Sequence, residues 1–279
     1  IRDRSPSRGL GDVYKRQSQE EAEMGRNKYS QSESERAIMS KRREVKEMEI
    51  KGMEIKGMEV KEMEIKKKLG EGSALGEEKI GEYLEALSAK SPVPSGGGAT
   101  ALAASLAFSL ALMVGNLTLG KKKYAHYEER LKIRMQEWEE GRTVALRLAK
   151  ADEEAFMPLA KVYALPKETE EEKKIYREKM EECLDRASLV PLTLLALCAE
   201  NAESLGELAT EGSKLLLSDV GIAASLLLSA MRSSALNVRI NTKLMQNEER
   251  KKEREEAVAE ALKQGELLEK TVREVEKRI

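Results

Sequence analysis

Residues that carry most metal and nucleophilic chemistry are scarce in this chain. Among 279 residues there is one histidine, His126, and there are two cysteines, Cys183 and Cys198, without CxxC spacing. This composition excludes a histidine-based triad, a zinc site and a disulfide scaffold. The two separated cysteines fit a reduced, cytoplasmic protein. Acid–base chemistry would have to come from carboxylates, lysines, tyrosines or the main chain.

Aromatic residues and proline are also rare. Aromatics make up 4% of the chain and there are six prolines, too few for a base-stacking surface or a β-sandwich core. Lys and Arg total 49 against 50 Asp and Glu, so the net charge of -1 argues against a nucleic-acid partner. After Leu69, Ala, Leu, Glu and Lys dominate, and these residues favour helices. We therefore predict an all-α fold.

The first 76 residues differ in composition from the rest. Ile1–Gln17 is polar and without periodicity, and we predict that it is a non-native tail. Residues 18–76 form a charged, low-complexity segment with a pentad repeat, MEIKG MEIKG MEVKE MEIKK, over Met48–Lys67. A five-residue period spreads the apolar residues around a helix and alternates them on a strand, so neither structure buries a face. We expect a disordered or loosely helical segment, with an interaction arm as the alternative.

Residues 77–279 predict one up-and-down bundle of five or six helices. A short helix should bury Ile80, Leu84 and Leu87. The longer segments are expected at Ala99–Leu119, Tyr124–Tyr163, Thr169–Leu205 with Thr169 as N-cap, Ser213–Asn241 and Glu248–Ile279. Ser91–Tyr124 contains about twenty mostly apolar residues, which also fits a membrane span. Its polar positions, including Ser105, Ser109 and Asn116, favour a buried bundle helix and no membrane.

Three groups of residues could carry chemistry. A glycine run, Gly96–Gly98, precedes a helix, where main-chain N–H groups can bind an anion. Lys121–Lys123 follow that helix and would either complement its dipole or bind carboxylates. Asn237 and Asn241 share a helix face and could bind the edge of a heterocycle such as a pterin, or join two helices.

Two carboxylates stand out by context. Asp152 lies in ADEEAF with Phe156 one turn later, and Asp219 lies among leucines and small residues in LLLSDVGIAA. A lone carboxylate in apolar surroundings needs hydrogen bonds or has a raised pKa, which is a feature of catalytic groups. The structural alternatives are the solvated side of a helix for Asp152 and a helix cap or bend for Asp219.

These segments together resemble a known family. The motifs are PVPSGGGATALAASLAFSLALMVGNLTLGKKKYA, then DEEAF and LPKETEEEK, then GSKLLLSDVGIAA and LNVRINTK. In this order they resemble the cyclodeaminase/cyclohydrolase family, which comprises the C-terminal half of formiminotransferase-cyclodeaminase and free-standing bacterial methenyltetrahydrofolate cyclohydrolases. The resemblance covers roughly Glu77 to Ile279. The family pattern has a further glycine where this chain has Ser95.

The resemblance implies a homodimeric helical enzyme that acts on reduced folate. Cyclodeaminases close 5-formimino-tetrahydrofolate to 5,10-methenyl-tetrahydrofolate and release ammonia. Cyclohydrolases interconvert the methenyl form and 10-formyl-tetrahydrofolate with water. Both reactions pass near a cationic carbon between two nitrogens, which a carboxylate can stabilise. Neither needs a cofactor, and the folate, polyglutamylated or not, is the substrate.

The resemblance also assigns roles to positions. Asp152 matches the aspartate of the D-x-x-A-F motif and is the first catalytic candidate. Asp219 matches the S-D-x-x-x-A motif, either as a second acid–base group or as a pterin anchor. The predicted substrate-binding residues are Ser95, Gly96, Gly97, Gly98, Asn116, Lys121, Lys122, Lys123, Tyr124, Phe156, Asn237 and Asn241. The rival hypothesis is a non-enzymatic helical interaction module with the pentad segment as its docking arm.

Overall fold

The computed structural model describes residues 79–279. These residues form α-helices and short 3-10 turns, with no strand among them, and the all-α prediction is confirmed. The helices are α1 Ile80–Ser88, α2 Gly96–Thr118, α3 Glu128–Tyr163, α4 Glu170–Glu200, α5 Ala202–Glu211, α6 Leu217–Thr242 and α7 Glu248–Glu276. The predictions for Ile1–Gln17 and residues 18–76 lie outside the described residues and stay predictions.

Helices α2 and α6 are antiparallel neighbours at the centre of the bundle. At one end the Thr118 hydroxyl accepts a hydrogen bond of 3.3 Å from the Ser213 amide, and at the other end Gly97 and Asn237 line one cavity. Helix α3 packs on the far side of α2, and α7 packs on the far side of α6. Helix α4 lies across α3, α6 and α7, while α5 contacts α6 and α7. One side of the α2–α6 pair is therefore covered by α4 and α5.

The core consists of side chains from all the long helices. Phe108, Trp138, Leu195 and Leu227 are fully buried in one cluster. The Trp138 indole donates a 2.8 Å hydrogen bond to the Ser204 hydroxyl, so its polar edge is satisfied inside the core. Two described helices, Gly96–Thr118 and Lys214–Thr242, are long and apolar enough to cross a membrane by length and composition alone. That is weak support for a membrane span, because the core helices of soluble bundles meet the same criterion.

Three glycines set the spacing between α2 and α3. A Cβ atom at Gly141 would lie 2.9–3.2 Å from the Phe108 ring, and one at Gly115 would lie 2.8 Å from Met135. At the N-terminal end of α2, a Cβ at Gly97 would lie 2.2 Å from the Asp152 carboxyl group. Each contact pairs a glycine on one helix with a larger side chain on the other, which draws the two helices close together.

The sequence located the helices well, with three corrections. Gly96–Gly98 form the first turn of α2 and not a loop before it. Of the predicted face of α1, Leu87 packs against the core, whereas Ile80 and Leu84 are 69% and 52% exposed and Tyr83 is the buried residue. The predicted Thr169–Leu205 helix is divided at Asn201 into α4 and α5.

The predicted start of α4, with Thr169 as N-cap, is confirmed. The Thr169 hydroxyl accepts a hydrogen bond from the Glu172 amide, and the Glu172 carboxylate accepts a hydrogen bond from the Thr169 amide.

Candidate active site

Asp152 lies against the first turn of α2. The Ser95 hydroxyl donates a 3.1 Å hydrogen bond to Oδ2 of Asp152. The carboxyl group lies so close to Gly97 that no larger residue would fit there without displacing it. Ser95 has a φ of -131°, in the extended region that any residue adopts, so the glycine of the family pattern is not required here. The structure thus places three predicted site residues in direct contact.

The environment of Asp152 favours the protonated acid. Burial raises the pKa of the Asp152 carboxyl, the Ser95 hydrogen bond lowers it, and the nearby Glu153 carboxylate raises it. Glu153 is itself paired with Lys150 at 2.8 Å. Asp152 therefore lies on the apolar side of its helix and is not the solvated residue of the structural alternative. A half-buried carboxyl with a raised pKa is suited to accept and donate protons.

Asn237 lies in the same cleft as Asp152. The cleft is a narrow crevice with no room for a water molecule, and it is lined by Gly97, Ala101, Leu148, Asp152, Val190, Pro191, Leu194 and Asn237. Its lining is apolar except for one carboxyl and one amide. No hydrogen bond of the Asn237 side chain is found within residues 79–279. Its amide is therefore available to a ligand that presents both a donor and an acceptor.

Asn241 and Phe156 lie beside the cleft and have structural partners. The Asn241 side chain donates a hydrogen bond of 2.8 Å to the Asn237 carbonyl and one of 3.5 Å to the Ala187 carbonyl of α4. This is the interhelical role that the sequence left open as an alternative. Phe156 packs against a small hydrophobic cluster around Leu184 and Met245. The prediction that both residues bind substrate is untested.

The other predicted residues lie at the opposite end of α2 and α6. Asn116 is nineteen residues from Gly97 on one helix, which corresponds to about 28 Å. Lys121, Lys122 and Lys123 follow Gly120, are exposed, and lead into Tyr124. The Tyr124 hydroxyl accepts a 3.2 Å hydrogen bond from the Lys214 amide, which lowers the pKa of the tyrosine. This connects the lysine segment to the start of α6.

Asp219 belongs to that distant end. It lies in the first turn of α6, and eighteen residues, or about 27 Å of helix, separate it from Asn237. No hydrogen bond or ion pair of its side chain is found within residues 79–279. An acidic residue in a first turn stabilises the helix dipole, which gives Asp219 a structural role in any case. A single chain therefore does not bring Asp219 and Asp152 together.

A second cavity, larger than the Asp152 cleft, contains none of the predicted residues. It is an open cleft of about 810 Å³ along α4 and the start of α7. Lys174, Arg177, Arg186 and Arg250 line it together with an equal number of acidic residues. Asp185 bridges Arg250 and the buried Arg254 across its floor, at 3.1 and 3.0 Å. The cleft carries balanced charges, and the ion pairs of Asp185 connect α4 to α7.

Sequence reasoning missed the apolar walls of the Asp152 cleft and the role of Ser95. Leu148 lies one turn before Asp152 on α3, so helical periodicity could have indicated it. Pro191 and Leu194 come from α4, and only the packing of α4 across α3 and α6 brings them there. No group of three or more potential metal ligands among His, Cys, Asp and Glu is found in residues 79–279.

Comparison with known proteins identifies the family. A family model described as formiminotransferase-cyclodeaminase matches residues 79–260, which include Asp152, Asn237 and the whole of α2. The chain belongs to this family. It is 37% identical over 202 residues to a methenyltetrahydrofolate cyclohydrolase of Methylorubrum extorquens, covering 71% of this chain and 97% of that protein.

Two further relatives extend the comparison. The chain is 30% identical over 201 residues to the formimidoyltransferase-cyclodeaminase of Gallus gallus, of which it spans only 37%. It also resembles the crystal structure of formiminotetrahydrofolate cyclodeaminase from Thermotoga maritima, with a TM-score of 0.64 and 29% identity. That match covers 73% of this chain and 96% of the other. Family and fold agree with the resemblance that the motifs predict.

Proposed function

We propose that this member of the family is a cytoplasmic folate enzyme that hydrolyses 5,10-methenyl-tetrahydrofolate, with Asp152 as its acid–base group. The observation that carries the proposal is the half-buried Asp152 carboxyl at the start of α2, in one cleft with an Asn237 amide that has no hydrogen-bond partner within residues 79–279. The cyclohydrolase activity is the first choice because the Methylorubrum extorquens relative of that name is 37% identical and matched over 97% of its length.

The chemistry requires one group that both accepts and donates a proton. Water adds to the cationic carbon between N5 and N10, and Asp152 accepts the proton that the water loses. The carbon–N5 bond then breaks as N5 takes up that proton from Asp152, and the hydroxyl on the carbon loses its own proton to solvent as the formyl C=O forms. The product is 10-formyl-tetrahydrofolate, with net release of one proton. A carboxyl with a pKa raised by burial is suited to both steps. Asn237 would hold the pterin edge through its donor and acceptor.

Cyclodeamination is the second candidate. It is favoured by the likeness to the Thermotoga maritima cyclodeaminase, which is matched over 96% of its length. In that reaction N10 adds to the formimino carbon of 5-formimino-tetrahydrofolate, and the carbon–nitrogen bond to the leaving ammonia breaks. Asp152 would then protonate the departing nitrogen. The same side chain therefore serves both reactions, and the two differ in which nucleophile reaches the carbon.

Direct assay of both substrates separates the candidates. The purified full chain is incubated with either 5,10-methenyl- or 5-formimino-tetrahydrofolate while methenyl absorbance and ammonia are followed. A cyclohydrolase consumes the methenyl form, whereas a cyclodeaminase produces it with ammonia. Asp152→Asn should lower the rate by about 100- to 10,000-fold, the usual contribution of general acid–base catalysis.

Glu154→Gln is the matched control, because Glu154 is an exposed carboxylate two residues further along α3. It should retain the wild-type rate. No turnover of either folate above the uncatalysed rate would reject the enzyme and leave the helical interaction module.

A further inference from the structure

Helix α4 contains a proline beside the candidate active site. Pro191 lies well inside α4 and lines the Asp152 cleft together with Val190 and Leu194. A proline has no N–H group, and its ring crowds the carbonyl group of the residue four positions earlier. In α4 that carbonyl belongs to Ala187, which is only 6% exposed. A buried carbonyl without a hydrogen bond lowers stability, so the Ala187 carbonyl requires a donor other than residue 191.

Asn241 of α6 supplies such a donor. Its Nδ2 atom lies 3.5 Å from the Ala187 carbonyl oxygen and 2.8 Å from the Asn237 carbonyl oxygen. The amide group of an asparagine carries two N–H bonds. Each of them donates to one of the two carbonyls, so this amide has no donor left for a ligand.

The two carbonyls belong to different walls of the cleft. Ala187 lies one turn before Pro191 on α4, and Asn237 is the residue that α6 contributes to the lining. The Asn241 side chain therefore connects the wall formed by α4 to the turn of α6 that carries the Asn237 amide. Its removal would leave the Ala187 carbonyl without this donor and let the two walls separate. Asn237 would then shift relative to Asp152, which is packed against Gly97.

We propose that Asn241 is a positioning residue, which replaces the hydrogen bond that Pro191 cannot make and so fixes Asn237 in the cleft beside Asp152. Asn241 acts through Asn237 and does not touch the substrate. Pro191 and Asn241 depend on each other, because an α4 with an N–H group at position 191 satisfies the Ala187 carbonyl by itself. The positioning role, although not the hydrogen bond, rests on the proposed folate activity.

A double-mutant cycle in thermal stability tests the hydrogen bond without any substrate. Pro191→Ala returns a main-chain N–H group to α4. In the otherwise wild-type full chain, Asn241→Ala should lower the Tm by about 2–4 °C, as expected for one lost hydrogen bond. In the Pro191→Ala background the same change should cost less than about half of that, because the two sites are coupled. Equal losses in the two backgrounds would overturn the proposal.

Pro158→Ala provides the matched control background. Pro158 is the proline inside α3, and the residue four positions before it, Glu154, is exposed and is not bonded to Asn241. Asn241→Ala should therefore keep its full loss in Tm when it is combined with Pro158→Ala. Equal relief by Pro158→Ala and Pro191→Ala would show a general effect of helix stabilisation, and would also overturn the proposal.

The same variants separate positioning from substrate binding. Asn241→Ala should lower kcat/KM for 5,10-methenyl-tetrahydrofolate by about 10- to 100-fold, because displacement of a site residue by a fraction of an ångström to 1 Å has effects of this size. In the Pro191→Ala background the loss should shrink to less than about threefold. If Asn241 bound the substrate itself, KM would rise by the same factor in both backgrounds, and the positioning role would be wrong.

Failure of this inference differs from failure of the proposed function. A wild-type chain that turns over neither folate would reject the folate activity and the positioning role together, while coupling in the Tm cycle would still support the hydrogen bond. An active wild-type chain with additive losses in both cycles would reject only the role of Asn241.

Discussion

Replacing Gly97 by alanine tests the position of Asp152 most directly. The new Cβ would lie 2.2 Å from Cγ and both oxygens of the Asp152 carboxyl group. Carbon contacts settle at about 3.5–4.0 Å, so the carboxyl group must move by more than about 1 Å. A displacement of that size can lower a rate by about 100-fold. We expect Gly97→Ala to fold and to lose about that factor in kcat/KM for the folate substrate.

Gly81→Ala provides the matched control. Gly81 is a helical glycine of α1 with no neighbouring atom within 4 Å of the new Cβ. Alanine has a higher helix propensity than glycine, so this term stabilises both variants equally, by up to about 1 kcal/mol. That stabilisation corresponds to a rise in Tm of about 2–4 °C. Gly81→Ala should show that rise at unchanged activity, whereas the clash at Gly97 should remove it. Equal kcat/KM for the two variants would refute the proposed position of the catalytic carboxyl group.

Three further predictions concern Asp152 and the start of α4. Ser95→Ala removes a hydrogen-bond donor to the ionised carboxylate, so the pKa of Asp152 should rise and the acidic limb of the pH–kcat/KM profile should move to higher pH. An unmoved limb would show that the Ser95 hydroxyl does not affect the titration of Asp152. Asp152→Asn should unfold at a higher temperature than wild type at pH 8 but not at pH 4. Its raised pKa means that the folded state holds the proton more tightly, so stability is lost as the pH rises through the folded pKa. Equal melting curves at both pH values would contradict the burial argument. Thr169→Ala removes the α4 capping box and should cost about 1 kcal/mol in denaturant unfolding at unchanged kcat/KM.

Some features of the structure could be predicted from the sequence and others could not. The N-cap at Thr169 was predictable because a capping box involves residues three apart in the chain. The contact between Ser95 and Asp152 was not, because it joins residues 57 apart and depends on how α2 and α3 align. Ile80 and Leu84 satisfied a helical period, yet periodicity does not reveal which face meets the bundle, and Tyr83 is the buried residue.

The separation of Asp219 from Asn237 was present in the sequence. Eighteen residues within one predicted helix already imply about 27 Å, so the motif residues could not form one site in one chain. The resemblance predicts which residues form the site, whereas simple helix geometry places them at two ends of one helix pair.

The three glycine contacts between α2 and α3 have a consequence for how this site can evolve. From Gly97 to Gly115 they span eighteen residues, and each fails if one helix slides by a single residue past the other. The alignment of the helices that keeps Phe108 over Gly141 is therefore the same alignment that holds Asp152 over Gly97. A core substitution far from Asp152 can shift its carboxyl group, and an insertion in either helix moves that group away from Gly97. Selection for a stable core and selection for activity consequently act on one shared variable, the register of two helices.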